Sequence, residues 1–514
     1  MSRLSGLDLS ILAAYALFLI FIGMRSARGH QSADQFTLGG HQIPTWAVLC
    51  SMIATELSAA TFIGVPQGAY AGDWSYLQLA VGSLIAKIWV ARHVIPRYHA
   101  RGIVTVYGFL TQRYGESAGR AAAASFVVGR ILASGARLFI AALAFSVMTE
   151  FSMSASIVLA GALAAAYTLA GGIRSVIYTD VLQGGVFLLA AAALLVTVLT
   201  IAPGGADGIW NWAQTHSRTQ ITHWEPFLSL SQSNAMGAAL IGAFFLTLAT
   251  HSTDHDMVQR LLTTRDGASG GRALLGSAWI NFPMTLIFLM IGTGIAFIYS
   301  TDPSAPAADS TRILPLFAIH HLPTGVRGLV FAGLFAAAMS SLDSAICAIA
   351  TTWVTDIRPR HNKGAPPSPG QLRWASAGIS IVLVAAALGM ATYHENLMAH
   401  PNAPNLVEFA LGTMSILYGG LLGIFGVAFL TRNRGSQSSA LAGLAVGSTS
   451  GLILFLHPLL LQGVWLAWTW WIPISATLAF AVTAARPRPS SSVGPNVDAT
   501  YPEPRFKRDG PNRS

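Results

Sequence analysis

Apolar residues in this chain neither alternate with polar ones nor form a stripe along one helical face. They fill whole stretches, and Gly, Pro and charged residues collect in the short segments between them. A helix needs roughly 20 apolar residues to cross a bilayer. The pattern predicts spans at 7–24, 46–70, 75–95, 121–149, 153–171, 175–201, 235–255, 275–299, 328–354, 374–392, 407–430, 437–457 and 464–484. Stretches 153–170 and 184–202 are apolar on every face and far exceed the roughly 10 residues of a barrel strand. A spanning backbone must satisfy its own hydrogen bonds, so helices are the predicted element. The expected fold class is an all-α membrane protein with about 13 transmembrane helices.

Composition agrees. Of 514 residues, 53% are hydrophobic and 10% charged, against about 25% charged in soluble domains. The net charge of +9 does not indicate nucleic acid, because the basic residues sit in short clusters between apolar runs. Arg25 and Arg28 follow the first span, and Arg92, Arg97, Arg101, Arg113 and Arg120 follow the third. Arg174, then Arg260, Arg265 and Arg272, then Arg358, Arg360, Lys363 and Arg373, then Arg432 and Arg434 fall in further even-numbered loops. With thirteen spans, all these loops face one side, so the N-terminus is expected outside and the C-terminus in the cytoplasm of a cell that places the chain in its inner (plasma) membrane. Only Arg3 precedes the first apolar stretch, so 7–24 reads as a retained helix and not a secretory signal. Residues 203–233 read as an external loop, Thr311–His321 as a short surface helix, and 486–514 as a disordered basic tail. Cys50 and Cys347 lie inside apolar segments and suggest no disulfide framework.

Several spans carry groups that a purely structural bundle would not need. The second runs from Ala54 through Glu56, Ser58, Thr61, Gly64 and Pro66 to Gly68. Such a stretch can unwind where it lines a cavity, freeing backbone carbonyls that suit a hard cation. A kinked helix with its polar groups satisfied by neighbours is the alternative. In the ninth span Ala337, Ser340, Ser341 and Ser344 share one helical face, with Asp343 beside them. A close-packing seam explains the small residues, and a cation site explains the acid as well. Asp180 opens the sixth span, as a cation ligand or as an interfacial acid paired with Arg174. Arg130 and Arg137 lie seven residues apart in the fourth span, nearly on one face. An arginine there could grip a carboxylate; the alternatives are an internal pair with Glu56 or Asp180, or snorkelling of Arg130 to the cytoplasm. Asp254, Asp256, His251 and His255 raise a metal reading, but the pattern supports no transition-metal site.

The stretches ATELSAATFIG (54–64), IPRYHARGIVTVYGFLTQRYG (95–115), GGIRSVIYTDVLQ (171–183), TDHDMVQR (253–260) and GLFAAAMSSLDS (333–344) together resemble the solute:sodium symporter family, which includes sodium-coupled proline, sugar, pantothenate and sialic acid carriers. The resemblance implies a LeuT-like core of two five-helix inverted repeats. They are expected at 46–201 and 235–430, with 1–45 as a peripheral first helix and loop, 202–234 as the external loop, 431–485 as two further peripheral helices, and 486–514 as the tail. It also implies a sodium site from the carbonyls of Ala54, Leu57 and Ala337 and the hydroxyls of Ser340 and Ser341. A second cation site would use Asp180, Ser340, Asp343 and Ser344; Asp343 stands where family members have a hydroxyl, and it would strengthen cation binding or carry a proton.

Substrate in this fold sits at mid-membrane beside the broken helix. The candidates are Glu56, Ser58, Thr61, Phe62, Gln78, Ser83, Arg137, Phe244, Thr247, His251 and Tyr418. The resemblance implies symport of a small organic solute with Na+ as coupling ion, by alternating access, with no other cofactor. An arginine near the site suggests a carboxylate on the solute. No nucleophile–base set indicates an enzyme. A proton-coupled carrier of the same fold and a transporter-like sensor are the competing readings. The partners expected are the solute, sodium ions and the lipid bilayer, with no nucleic acid, and the chain is expected to act as a monomer.

Overall fold

The computed structural model describes residues 4–27, 33–168, 172–302, 310–358, 368–398, 405–461 and 465–488. The predicted tail lies outside them. A helix or broken helix stands at each predicted span. We number them α1 (Gly6–Ala27), α2 (Thr45–Glu56), α3 (Ala59–Ala71), α4 (Gln78–Trp89), α5 (Glu116–Thr149), α6 (Met153–Thr168), α7 (Ile173–Ile201), α8 (Met236–Ser252), α9 (His255–Leu262), α10 (Gly267–Thr301), α11 (Ile313–His321), α12 (Val326–Thr352), α13 (Pro369–Met398), α14 (Leu406–Leu430), α15 (Gln437–Leu460) and α16 (Trp471–Ala484). Among the described residues, nine helices are long and apolar enough to cross a bilayer alone, and eleven spans result when each bent pair counts once. α6 and α16 are shorter. α11 is the short helix expected near 311–321.

Two spans are broken. α2 and α3 meet at 53°, and α8 and α9 meet at 57°. The two broken spans open the stretches 46–201 and 235–430, the two expected repeats. Helix ends run past the hydropathy boundaries because caps set them. Asp266 accepts the Ser269 amide and starts α10 eight residues before the expected 275. That amide holds the Asp266 carboxyl below the ordinary carboxylate range.

Close packing places the site-bearing helices. α7 and α12 lie against each other along their length. At Gly333 a Cβ would come within 2.2 Å of the Ala190 Cβ, so only glycine permits this approach. α1 is tied to α12 by one residue. Asp8 is buried and accepts from the amides of Gly325 (2.8 Å) and Gly328 (2.9 Å) and from Arg327 Nε (3.0 Å) and Nη2 (2.9 Å). Its carboxylate therefore satisfies amides at the start of α12 and meets the positive end of that helix's dipole. Removing one partner of a buried pair typically costs about 3–5 kcal/mol. We predict that Asp8→Ala lowers the thermal midpoint of the purified protein by that order of stability. An unchanged midpoint would mean that something else holds the α1–α12 junction.

Candidate functional site

The break between α2 and α3 supplies backbone oxygen in the middle of the molecule. α2 ends at Glu56; Leu57 takes φ −84° and ψ 78°, and Ser58 takes φ −87° and ψ 176° before α3 begins. The Thr61 amide donates to the Ser58 carbonyl at 2.9 Å rather than to that of Leu57. The last carbonyls of α2 thus sit at the negative end of a half-helix, which favours a cation.

α12 meets this break with its hydroxyl face. Ser340 Oγ donates to the Ala54 carbonyl at 2.7 Å and lies 3.4 Å from that of Ala337. Ser341 Oγ lies 3.4 Å from the carbonyls of both Thr55 and Ala337. All these residues are buried. Ala54, Ala337, Ser340 and Ser341 are therefore together, Leu57 stands at the break itself, and Thr55 adds an oxygen not anticipated from the sequence. The set is hard oxygen throughout, the donor type that alkali and alkaline-earth cations take.

The second group is less compact. Ser344 Oγ donates to the Ser340 carbonyl at 2.9 Å, and its amide lies 2.6 Å from Asp343 Oδ1. Asp180, on α7, accepts from Ser51 Oγ at 2.5 Å and faces Arg260 Nη2 at 3.5 Å. It is fully buried and pairs with Arg260, not Arg174. Its Oδ1 has no hydrogen-bond partner among the described residues.

Arg260 belongs to a buried chain of charges. Its Nη1 reaches Asp256 Oδ1 at 2.8 Å and its Nε reaches Ser51 at 2.9 Å. Asp256 and Asp254 both bind Arg130, the latter at 2.9 Å, and Tyr418 donates to Asp254. Asp254 also caps α9 through the Asp256 amide at 2.9 Å. Arg130 is fully buried. It therefore neither snorkels nor pairs with Glu56 or Asp180, and its partners lie across the break between α8 and α9. Tyr418 takes part in the same network. This accounts for two of the residues that raised a metal reading, and no metal-ligating group of three occurs among the described residues.

Arg137 is different. It is buried, its Nη2 meets only Met414 Sδ at 3.9 Å, and its Nη1 has no hydrogen-bond partner among the described residues. A desolvated guanidinium without an acceptor is costly.

Glu56 points away from the carbonyls into a second polar cluster. It accepts from Lys87 Nζ at 2.6 Å, His251 Nε2 at 3.0 Å, Ser277 Oγ at 3.1 Å and Asn281. His251 Nδ1 lies 3.1 Å from the Thr247 carbonyl, and Thr247 donates to Ser83 at 3.0 Å. Glu56, His251, Thr247 and Ser83 are thus one connected set across α2, α4 and α8. Gln78 donates to the Asn234 carbonyl at 2.8 Å, at the first residue of α4. Phe62 packs 5.4 Å from Phe187 and 5.2 Å from Phe288 in an aromatic core, and Phe244 packs on Phe245. Ser58 is buried at the break and Thr61 is half-buried one turn on.

Lys87, Ser51 and Arg260 escaped the sequence reading as site groups. Lys87 lies in the middle of the 75–95 apolar stretch, five residues short of Arg92 at its basic end, and that position inside the apolar run is the available signal. Arg260 stands in a basic cluster that reads as a loop, yet it is buried.

A family model described as the sodium:solute symporter family matches residues 36–447. The sodium/sialic acid symporter NanT of Aliivibrio fischeri is 29% identical over 440 residues, covering 84% of each chain. The sodium/sialic acid symporter SiaT of Proteus mirabilis is 29% identical over 392 residues, covering 74% of this chain and 77% of that one. A solved Na+-coupled sialic acid symporter in a substrate-bound outward-open state superposes with a TM-score of 0.82 at 24% identity, covering 94% and 97%.

Proposed function

The chain belongs to the sodium:solute symporter family, and on that premise we propose where its sodium ion and its solute bind. It is a sodium-coupled solute symporter that works by alternating access on the LeuT-like fold. Sodium sits between α2 and α12, held by the carbonyls of Ala54, Leu57 and Ala337 and the hydroxyls of Ser340 and Ser341. The Ser340–Ala54 hydrogen bond of 2.7 Å supports this, because it already holds two of the ligands within one coordination sphere. Asp180, Asp343 and Ser344 extend the oxygen set toward α7, where a second cation would have to compete with Arg260 for Asp180.

The solute carries a carboxylate. The observation that carries this reading is Arg137, a buried guanidinium with an unpaired Nη1. The start of α3 adds to it, since Ser58 caps its amides with no side-chain bond while the corresponding start of α9 is capped by Asp254. A half-helix N-terminus left open in this way suits an anionic group. Sialic acid, the solute named for the relatives, is such an acid and is the first to test. Glu56 with Lys87, His251, Thr247 and Ser83 offers donors and acceptors for a polyhydroxylated body.

Sodium entering from outside bridges the broken helix to α12 and raises the population of the solute-ready state. Each charge carried inward gains about 2.3 kcal/mol per 100 mV of membrane potential. The distribution of basic residues among the loops supports an N-terminus outside and a C-terminus on the cytoplasmic side of the plasma membrane.

In detergent, sodium-dependent binding of sialic acid is expected for the wild type and at least tenfold weaker binding for its methyl ester. Arg137→Gln should weaken the acid by about 2–4 kcal/mol, the loss of a charge-assisted bidentate contact, and leave the ester unchanged. Wild-type affinity in Arg137→Gln would remove the carboxylate assignment. Binding that ignores sodium would remove the proposed cation site.

A further inference from the structure

A cavity of about 340 Å³ lies apart from both positions, where the first turn of α14 meets the last turns of α13 and α15 and the start of α16. That volume is in the range of about 300–1,000 Å³ usual for small-molecule sites. Five aromatic residues line it: Tyr393, Phe409, Phe455, Trp468 and Trp471. Glu408 is the one charged residue in its wall, and Lys, Arg and His are absent from the lining. We propose that this cavity binds a small organic ammonium ion bearing an oxygen acceptor.

Aromatic faces carry negative potential and attract an alkylammonium group, most strongly when both are removed from water. A carboxylate at the edge adds to that attraction and repels anions. The rings are held in place before any ligand arrives. Tyr393 stacks on Phe455 at 4.9 Å between centroids and donates to the Phe455 carbonyl at 3.1 Å. Phe455 meets Trp471 edge-on at 6.2 Å, and Trp471 Nε1 donates to the Leu466 carbonyl at 2.9 Å. Glu408 is fixed too, accepting Ser233 Oγ at 2.5 Å and closing the capping box of α14 with Asn405. Such pre-organisation reduces the ordering cost of binding. The indole N–H of Trp468 is the second, independent sign of a ligand. The residue is only 8% exposed, and its Nε1 has no hydrogen-bond partner among the described residues. It is a buried donor awaiting an oxygen. A carboxylate solute would be repelled by Glu408, so this site is separate from the one beside Arg137, and it gives the peripheral spans α15 and α16 a binding role.

Acetylcholine is the probe, because it carries a trimethylammonium group and an ester oxygen. Its uncharged isostere, 3,3-dimethylbutyl acetate, is the control. Calorimetric titration of the full chain in detergent is expected to show acetylcholine binding at least tenfold tighter than the isostere. Glu408→Gln keeps the capping box, since glutamine serves that position, and should weaken acetylcholine at least tenfold while leaving the isostere unchanged. Phe455→Leu keeps the apolar volume and should do the same through loss of a ring. Equal affinities for the two probes in the wild type would mark the cavity as a place for a lipid or detergent tail and overturn the proposal, as would absence of binding. That comparison needs no variant to fold.

Discussion

Replacing both Ser340 and Ser341 by alanine is expected to abolish sodium-stimulated uptake at ordinary sodium concentrations. A bond between a neutral oxygen and a charged group contributes about 1.5–3 kcal/mol. Losing two should raise the sodium concentration for half-maximal uptake by more than about 100-fold. The carbonyls of Ala54, Thr55 and Ala337 remain, so some sodium dependence should return at very high concentration. Both hydroxyls are buried against α2, and alanine leaves only small voids on a helix already rich in alanine. Membrane insertion and monodispersity should therefore be normal. Reconstituted vesicles with a sodium gradient measure the effect. Uptake by the double variant with the wild-type sodium dependence would place the coupling ion elsewhere.

The second large effect concerns the buried chain of charges. Arg130 bridges Asp254 and Asp256, and all three are fully or almost fully buried. Arg130→Met leaves both carboxylates without that partner, although Arg260 still reaches Asp256. Breaking a buried pair from one side costs about 3–5 kcal/mol, so the variant should melt far below the wild type. Arg130→Lys should restore little, because a single ammonium cannot fork to two carboxylates as a guanidinium does. Adding Asp256→Asn to Arg130→Met should recover part of the loss. The recovery is read as the coupling in a double-mutant cycle on thermal midpoints. Full additivity would mean that the two side chains do not act together. Transport should fail as well, since Asp254 also caps α9 and so fixes the direction in which the second broken span resumes.

The spans were legible because each is a long uninterrupted apolar run, the strongest signal a sequence carries for a membrane helix. Their ends were less so: α5 and α10 begin several residues before their apolar runs, where Gly115 and Asp266 set the start. That the second span breaks is legible from its glycines, proline and hydroxyls, but the break itself falls at Leu57–Ser58, and Gly64, Pro66 and Gly68 lie inside α3. The partner assignments of the charges were not legible. Arg130 and Asp254 are 124 residues apart, Lys87 and Glu56 are 31 apart, and Arg260 and Asp180 are 80 apart. Charge type alone permits any of these acids to meet any of these bases. Only the packing of α2, α7 and α9 decides it. The same limit explains why Arg137 and Arg130 looked equivalent. They share a helix face in sequence, but one faces two aspartates and the other a thioether.

The clamp between Asp8 and the start of α12 bears on which helices can move apart during the cycle. Four donors on 325–328 converge on one buried carboxylate, so α1 and the helix bearing Ser340 are expected to move as one lever. Rearrangement during the cycle is then expected at the seam where Ser340 touches Ala54. A spin-label pair reporting on α1 and α12 should show one fixed spacing whether or not sodium is bound, while a pair across α2 and α12 should show two.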